Sequence, residues 1–215
     1  MCSRFENKET GLSIFTKINK YYDINNLSIN TLKKINIAPT DDIMVINKEN
    51  EELALSIFSW GIKFPKSNIP IIFNSRIETI NSKPFWGNLF EKNRCLIPAT
   101  AFYEWKSFGK IKIPQRITFN KLEVFYIAGI YLSQDNQNFV SFITTNANSS
   151  ILRIHNRMPV IFDLKTGIEF LLHKNSKSLQ NFINMENLND VEIETADEIL
   201  TQNQKDFLRN KGNKN

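Results

Sequence analysis

The sequence predicts an α+β fold: one strand-rich domain with short helices inserted among the strands. Two pattern observations carry this. Short β-branched or aromatic runs recur through the middle of the chain, and the helical stretches between them do not keep the steady alternation of a doubly wound sheet. Composition is the third: 215 residues, 41% hydrophobic, with 17 Phe and 3 Trp, supply one sizeable core and exclude a disordered, collagen-like or fibrous chain.

The first 40 residues read as a mixed polar lead-in ending in the Pro-marked extended turn Asn36-Ile37-Ala38-Pro39-Thr40. Strands are then expected at 43–47, 53–62, 94–98, 113–119, 124–132, 139–146 and 158–162, where β-branched and aromatic residues cluster. Residues 84–92 are expected to form a short helix with Pro at its start. Further helices are expected at 148–154, 164–173 and 176–185, the last with Leu179, Phe182 and Ile183 at helical spacing. There is no internal repeat and no Ser/Gly-rich linker, so 1–195 reads as one domain and 196–215 as a polar tail ending in a frayed helix.

Lys and Arg total 27 against 22 Asp and Glu, a net charge of +5, which is compatible with an anionic partner without requiring one. No run reaches the roughly 18 apolar residues of a membrane span. The charged start, MCSRFENKETGL, lacks an apolar signal core, so the expected location is the cytoplasm. Two cysteines, Cys2 and Cys95, are too few for a disulfide framework. Neither has a histidine nearby, and no HExxH or glycine-rich phosphate loop occurs, so neither a metal nor a cofactor is expected.

Three places could carry chemistry. Removal of Met1 would leave Cys2 with a free amine and a thiol on adjacent carbons. The amine, with a reference pKa of about 7.7 to 8.0, attacks an aldehyde to give an imine, and the sulfur then closes a five-membered thiazolidine. The run from Asn74 to Trp105 sets Asn74, Glu78 and Glu104 among apolar neighbours able to raise a carboxyl pKa. It also interleaves Arg76, Lys83 and Arg94 with Phe85, Trp86, Tyr103 and Trp105, as a groove that grips phosphates and stacks bases would require. His155, just before Arg157, could pair a proton-transfer imidazole with a phosphate-binding guanidinium. Cys95 reads as core, and His173 as a helix C-terminal cap or a surface residue.

Taken in order, Cys2-x-Arg4-Phe5, Asn36-x-Ala38-Pro39-Thr40, Trp60-Gly61, Asn74-x-Arg76-x-Glu78-Thr79, Arg94-Cys95-Leu96-Ile97-Pro98, Phe102-Tyr103-Glu104-Trp105 and His155-x-Arg157-Met158-Pro159 resemble the SRAP (SOS response-associated peptidase) family over residues 2 to about 163. The resemblance implies a curved, largely antiparallel, barrel-like sheet with a positively charged DNA groove. It implies a monomer that recognises abasic sites in single-stranded DNA and bonds to them through Cys2 as a thiazolidine, nucleoid-associated when bound, with a related lyase activity. Catalytic roles fall on Cys2, Asn74, Glu104 and His155; DNA contacts fall on Arg4, Pro39, Arg76, Lys83, Trp105 and Arg157. The chain departs from the family pattern at Ser3 and Ala101, where glycines are usual, and at Lys63-Phe64-Pro65, where a second tryptophan is common. Two other readings stand beside this one: a thiol peptidase acting on its own Met1 or on other peptides, and a non-covalent single-strand binder.

Overall fold

The computed structural model describes the chain except residues 1, 28–31, 33, 65–67, 174–182, 184–187 and 213–215. Its strands in chain order are β1 (Arg4–Glu6), β2 (Ile24–Leu27), β3 (Asp42–Glu49), β4 (Glu52–Trp60), β5 (Asn74–Arg76), β6 (Arg94–Ala99), β7 (Ala101–Phe108), β8 (Ile111–Phe119), β9 (Phe125–Gln134), β10 (Gln137–Asn146), β11 (Arg157–Pro159), β12 (Ile161–Phe162) and β13 (Val191–Thr195). The helices are α1 (Gly11–Asn19), α2 (Ile77–Ile80), α3 (Pro84–Lys92), α4 (Ser149–Leu152), α5 (Leu164–Leu172) and α6 (Gln202–Gly212), with a 3₁₀ turn at Asp197–Ile199.

Hairpin chemistry starts the sheet. Asn50 and Glu51 (φ 49° and 70°) join β3 to β4, and Asp135 and Asn136 (φ 50° and 59°) join β9 to β10. Positive φ at both loop positions matches the right-handed twist of the strands they connect. Strands β10, β4, β3, β6 and β9 then pair in sequence, and β9 pairs back onto β10, closing a five-stranded barrel. Closure leaves the ring no free edge. Side chains pack tightly against the barrel strands: Trp60 stacks on Phe142 at 4.3 Å between ring centroids, and Phe5, from β1 outside the ring, meets both edge-on at 5.4 and 5.5 Å. Gly129, in mid-strand β9, lies where a Cβ would come within 2.8 Å of Ile97 Cδ1 and 2.9 Å of Cys95 Sγ, so any larger residue there would have to push these side chains aside.

A second sheet, in the order β1-β7-β8-β13, is antiparallel throughout. Its first strand is short, and it is held on the other side as well: Phe5 exchanges two backbone hydrogen bonds with Ile37 (3.1 and 3.0 Å) and Asn7 N–H donates to Lys34 O (2.9 Å).

Most of the expected strands and the helices at 84–92 and 164–173 occur close to their expected bounds. The strand expected at 53–62 stops at Trp60, because Gly61 turns out at φ +123° with a would-be Cβ only 2.3 Å from Ile71 Cγ2. The run 158–162 divides into β11 and β12 as the chain changes partner from β10 to β9. The helix expected at 148–154 is shorter, α4, and the one at 176–185 lies outside the described residues apart from Ile183. The lead-in is more ordered than its composition suggests: it holds β1, β2 and α1, whose start is capped by the Thr10 side chain accepting from Ser13 N–H. In the tail, α6 rests Phe207 against Phe108 at 6.1 Å. Among the described residues, no helix is long and apolar enough to cross a membrane.

Arg94 explains its own motif. Its buried guanidinium donates to Phe90 O (2.7 Å) and Glu91 O (2.9 Å) at the end of α3, and to Phe170 O (3.0 Å), Leu171 O (3.4 Å) and His173 O at the end of α5. One cation thus satisfies carbonyls that both helix termini leave open, where the helix dipoles are negative. His173 is the C-cap residue of α5. Arg94→Leu leaves these carbonyls buried without donors, and urea unfolding is expected to register a loss of about 3 kcal/mol; a loss below about 1 kcal/mol would contradict this double-cap role.

Candidate nucleophile and proton-transfer site

Strand β10 is the rail on which the site is assembled. Along one side β5 continues where β4 leaves off, pairing Phe142 with Asn74 and Thr144 with Arg76. Along the other side β11 continues beyond β9, pairing Asn146 with Arg157. Residues distant in sequence, 74–76 and 155–157, are therefore brought to the same end of one strand. Trp60 fixes the approach to β5 through its indole N–H, which donates to Phe73 O at 3.0 Å.

The chain start arrives from the second sheet. The register of β1 on β7 sets Arg4 opposite Tyr103, which carries Cys2 to the neighbourhood of Glu104. Cys2 is 0% exposed; its Sγ donates to Arg4 O (3.4 Å), and its own carbonyl accepts from Asn74 Nδ2 at 2.8 Å. Asn74 Oδ1 is buried and has no hydrogen-bond partner among the described residues, so this amide holds residue 2 with one end and has an acceptor to spare at the other. Burial, with the Glu104 carboxylate beside it, pushes the Cys2 thiol well above its ordinary value. Glu104 is 2% exposed, and burial raises its pKa above the usual carboxylate range.

His155 lies in the turn between α4 and β11. Arg157 N–H donates to its Nδ1 at 3.0 Å, so the neutral ring carries its proton on Nε2, and the 3.3 Å approach of Nδ1 to Arg157 O is then not a hydrogen bond. Burial comes first in lowering the His155 pKa, and the cationic Lys112 and Arg157 add to it.

The cations divide into two kinds. Arg157 is 8% exposed and donates to both Glu78 carboxylate oxygens (2.7 and 2.9 Å), to Asn146 Oδ1 (2.8 Å) and to Thr144 O (2.7 Å). Burial alone would raise Glu78, but the hydrogen bonds and charge of Arg157 outweigh it and hold the carboxyl below its ordinary value. Arg157 thus braces the His155 turn against α2, and direct contact with a phosphate would require it to give up these bonds. Arg76 and Lys83 are exposed and, with Asn74, Ser75, Thr79 and Trp86, line an open cleft of about 160 Å³. Arg4 is half-buried, its Nε donating to Asn36 Oδ1 at 3.0 Å. Pro39 and Trp105 are also half-buried. The Asn36–Thr40 turn is tied down by Ala38 N–H to Asp41 Oδ2 (2.9 Å) and Thr40 N–H to Trp60 O (2.7 Å).

The aromatic side of the cleft, where Trp86 lies, belongs to the run that interleaves cations with aromatics in the sequence but is not among the DNA contacts implied by the resemblance. Phe85 and Trp86 meet edge-on at 5.2 Å, with Phe64 at 5.5 Å from Phe85, and Phe85 remains 42% exposed. Their position just after Lys83 at the start of α3 was the available signal. Among the described residues, no group of three or more His, Cys, Asp or Glu could hold a metal ion.

The model of the SOS response associated peptidase (SRAP) family matches residues 1–199. The chain belongs to the SRAP family. One relative of this SRAP domain, abasic site processing protein YoaM of Bacillus subtilis (strain 168), is 34% identical over 188 residues, 82% of this chain and 81% of YoaM. Abasic site processing protein YedK of Escherichia coli (strain K12) is 23% identical over 142 residues, 64% of each chain. A crystal structure of a Bacteroides thetaiotaomicron protein superposes with TM-score 0.75 at 21% identity, covering 97% of this chain and 94% of that one. A phage-related protein of Bordetella bronchiseptica gives 0.73 at 18% identity, covering 91% of this chain and 94% of that one. These two share the fold.

The His155 environment makes a direct prediction. By NMR titration its imidazole should have a pKa below the reference value of about 6.5 and should sit as the Nε2–H tautomer at neutral pH. Since the depressed pKa makes the folded state bind fewer protons than the unfolded one, stability should fall as pH drops from about 6.5 through the folded value. A pKa at or above the reference would contradict the geometry.

Proposed function

We propose that this SRAP domain processes abasic sites in single-stranded DNA by forming a covalent thiazolidine between Cys2, after removal of Met1, and C1′ of the ring-opened deoxyribose. The observation that carries this reading is Cys2 itself: a buried residue 2, held through its carbonyl by Asn74 and set beside a buried carboxyl. An ordinary chain start has no reason to be enclosed among proton-transfer groups. Relatives named as abasic site processing proteins support the substrate.

The abasic sugar is mostly a closed hemiacetal, and opening it requires a proton taken from the C1′ hydroxyl and one given to the ring oxygen; the imidazolium form of His155 gives its Nε2 proton and becomes neutral, and the Glu104 carboxylate is the acceptor. The Cys2 amine adds to the aldehyde carbon, and loss of one water gives the imine. Sγ then bonds to the same carbon while the thiol proton passes to the imine nitrogen. The elevated thiol pKa suits this order, because the sulfur waits protonated while the amine reacts first. Glu104, raised by burial, can take and return protons around these steps, and Asn74 orients without titrating. Elimination from the imine would cleave the strand, a side activity that ring closure by sulfur suppresses.

Exposed Arg76 and Lys83 hold phosphates beside the lesion, and Trp86, with Trp105 and Pro39, offers apolar surface to neighbouring bases. The peptidase reading fits less well, since an acyl-transfer thiol needs to be a ready thiolate, whereas this one is buried, raised, and donating to the Arg4 carbonyl.

The test is incubation with single-stranded DNA carrying one abasic site, followed by denaturing electrophoresis. A denaturation-resistant adduct should form with the Met1-processed protein and be absent in Cys2→Ala. Glu104→Gln and His155→Ala should slow it by about 100-fold. The rate should rise with pH through an ionisation above the ordinary carboxylate range of about 4.3, a limb that Glu104→Gln removes. Binding that high salt reverses completely, with no resistant fraction, would instead support the non-covalent reading.

A further inference from the structure

One cluster of ionisable groups lies apart from the reacting residues, beside the strand that delivers Cys2. Glu6 is 1% exposed, an unusual place for a carboxylate. Its Oε1 accepts from Arg116 Nη2 (2.8 Å) and Thr100 Oγ1 (3.0 Å), and its Oε2 from Tyr103 Oη (3.0 Å) and Arg116 Nε (3.3 Å). Lys8 Nζ lies 3.3 Å from Oε1. The sheet register builds this contact: Glu6 faces Ala101, Tyr103 faces Arg116, and Arg116 faces Glu194, whose Oε1 it also reaches at 2.9 Å. The small Ala101 side chain leaves room for the carboxylate to extend across β7 to the guanidinium on β8. Tyr103 Oη further approaches Glu198 Oε1 at 2.8 Å, joining the 3₁₀ turn to the cluster.

Stability alone does not account for such a pair, since apolar residues of similar volume often hold a fold equally well. Register does. Alternate residues of β1 point to opposite faces, with Phe5 against Trp60 and Phe142 and Glu6 on Arg116. A slip by one residue would force a carboxylate into the aromatic core and a phenyl ring into the ionic cluster. Two such faces hold a three-residue strand to one position, and Cys2 lies two residues before its start.

We infer that Glu6 and Arg116 are a positioning pair, which fixes the register of β1 and thereby the reach of the residue-2 amine and thiol. The inference rests on the covalent reading of Cys2. Its test uses Glu6→Gln, which keeps the shape and removes the charge, and Arg116→Lys, which keeps the charge and removes the two-pronged contact. Each variant should lower the single-turnover crosslinking rate constant at saturating DNA by about tenfold or more. Affinity for a strand carrying a non-reacting tetrahydrofuran abasic analogue should change by less than about twofold, and the two substitutions should be far from additive. Amide hydrogen exchange at Phe5 and Asn7 should quicken in both variants, a readout that does not depend on any adduct forming. Absence of an adduct in the unaltered protein would count against the covalent reading itself. Rate constants equal to the unaltered protein, or unchanged exchange at Phe5 and Asn7, would overturn the positioning role.

Discussion

Enclosure of the chain start is the constraint on which the rest of the site depends. A terminus ordinarily frays because nothing repays the entropy of holding it. Here Phe5 is wedged edge-on against Trp60 and Phe142, Ile37 and Tyr103 flank the strand on its two sides, and Asn74 holds the Cys2 carbonyl. Burial then sets the protonation states. It raises Cys2, raises Glu104 and lowers His155, so each group is shifted toward its neutral form by the same cause. A site whose groups are held toward their neutral forms suits the exchange of protons with a sugar, whereas a site built to hold an anion would keep its cations exposed.

Such cations exist a few residues away, and the contrast between them explains the division of labour. Arg76 and Lys83 face solvent along the cleft, while Arg157 through its two Nη groups and Arg94 through its whole guanidinium are bonded to the protein. Arg157 ties the His155 turn to Glu78, and Arg94 joins the ends of α3 and α5 behind the barrel wall. The interior cations give rigidity to the frame, and the exterior ones remain available to phosphates.

Much of the fold was legible because short β-branched and aromatic runs recur along the chain and most of them became strands. Barrel closure was legible only through the family resemblance, since the pairing of β9 with β10 and of β10 with β4 depends on contacts that local patterns do not encode. Cys2, Asn74, Glu104 and His155 stood out for the chemistry their side chains allow. By contrast, Arg157 could be read equally as a phosphate ligand or a brace, and only the position of Glu78, nearly eighty residues earlier, separates the two. The Glu6–Arg116 contact was invisible for a similar reason, as it needs the alignment of three strands at once. Trp86 was visible only as one aromatic among several, because an aromatic at the start of a helix is usually core and its place on the cleft wall depends on how α3 packs.

The central claim is that Cys2, carrying the chain's own amine, supplies the atom pair that captures the lesion. It is tested most directly by digesting the protein after reaction with an abasic-site oligonucleotide and measuring the mass of the N-terminal peptide. The account predicts a peptide beginning at Cys2, joined to the sugar with loss of one water and resistant to borohydride reduction, as a closed thiazolidine would be. An adduct on any other peptide, or an N-terminal peptide that still carries Met1 and remains unmodified, would contradict it.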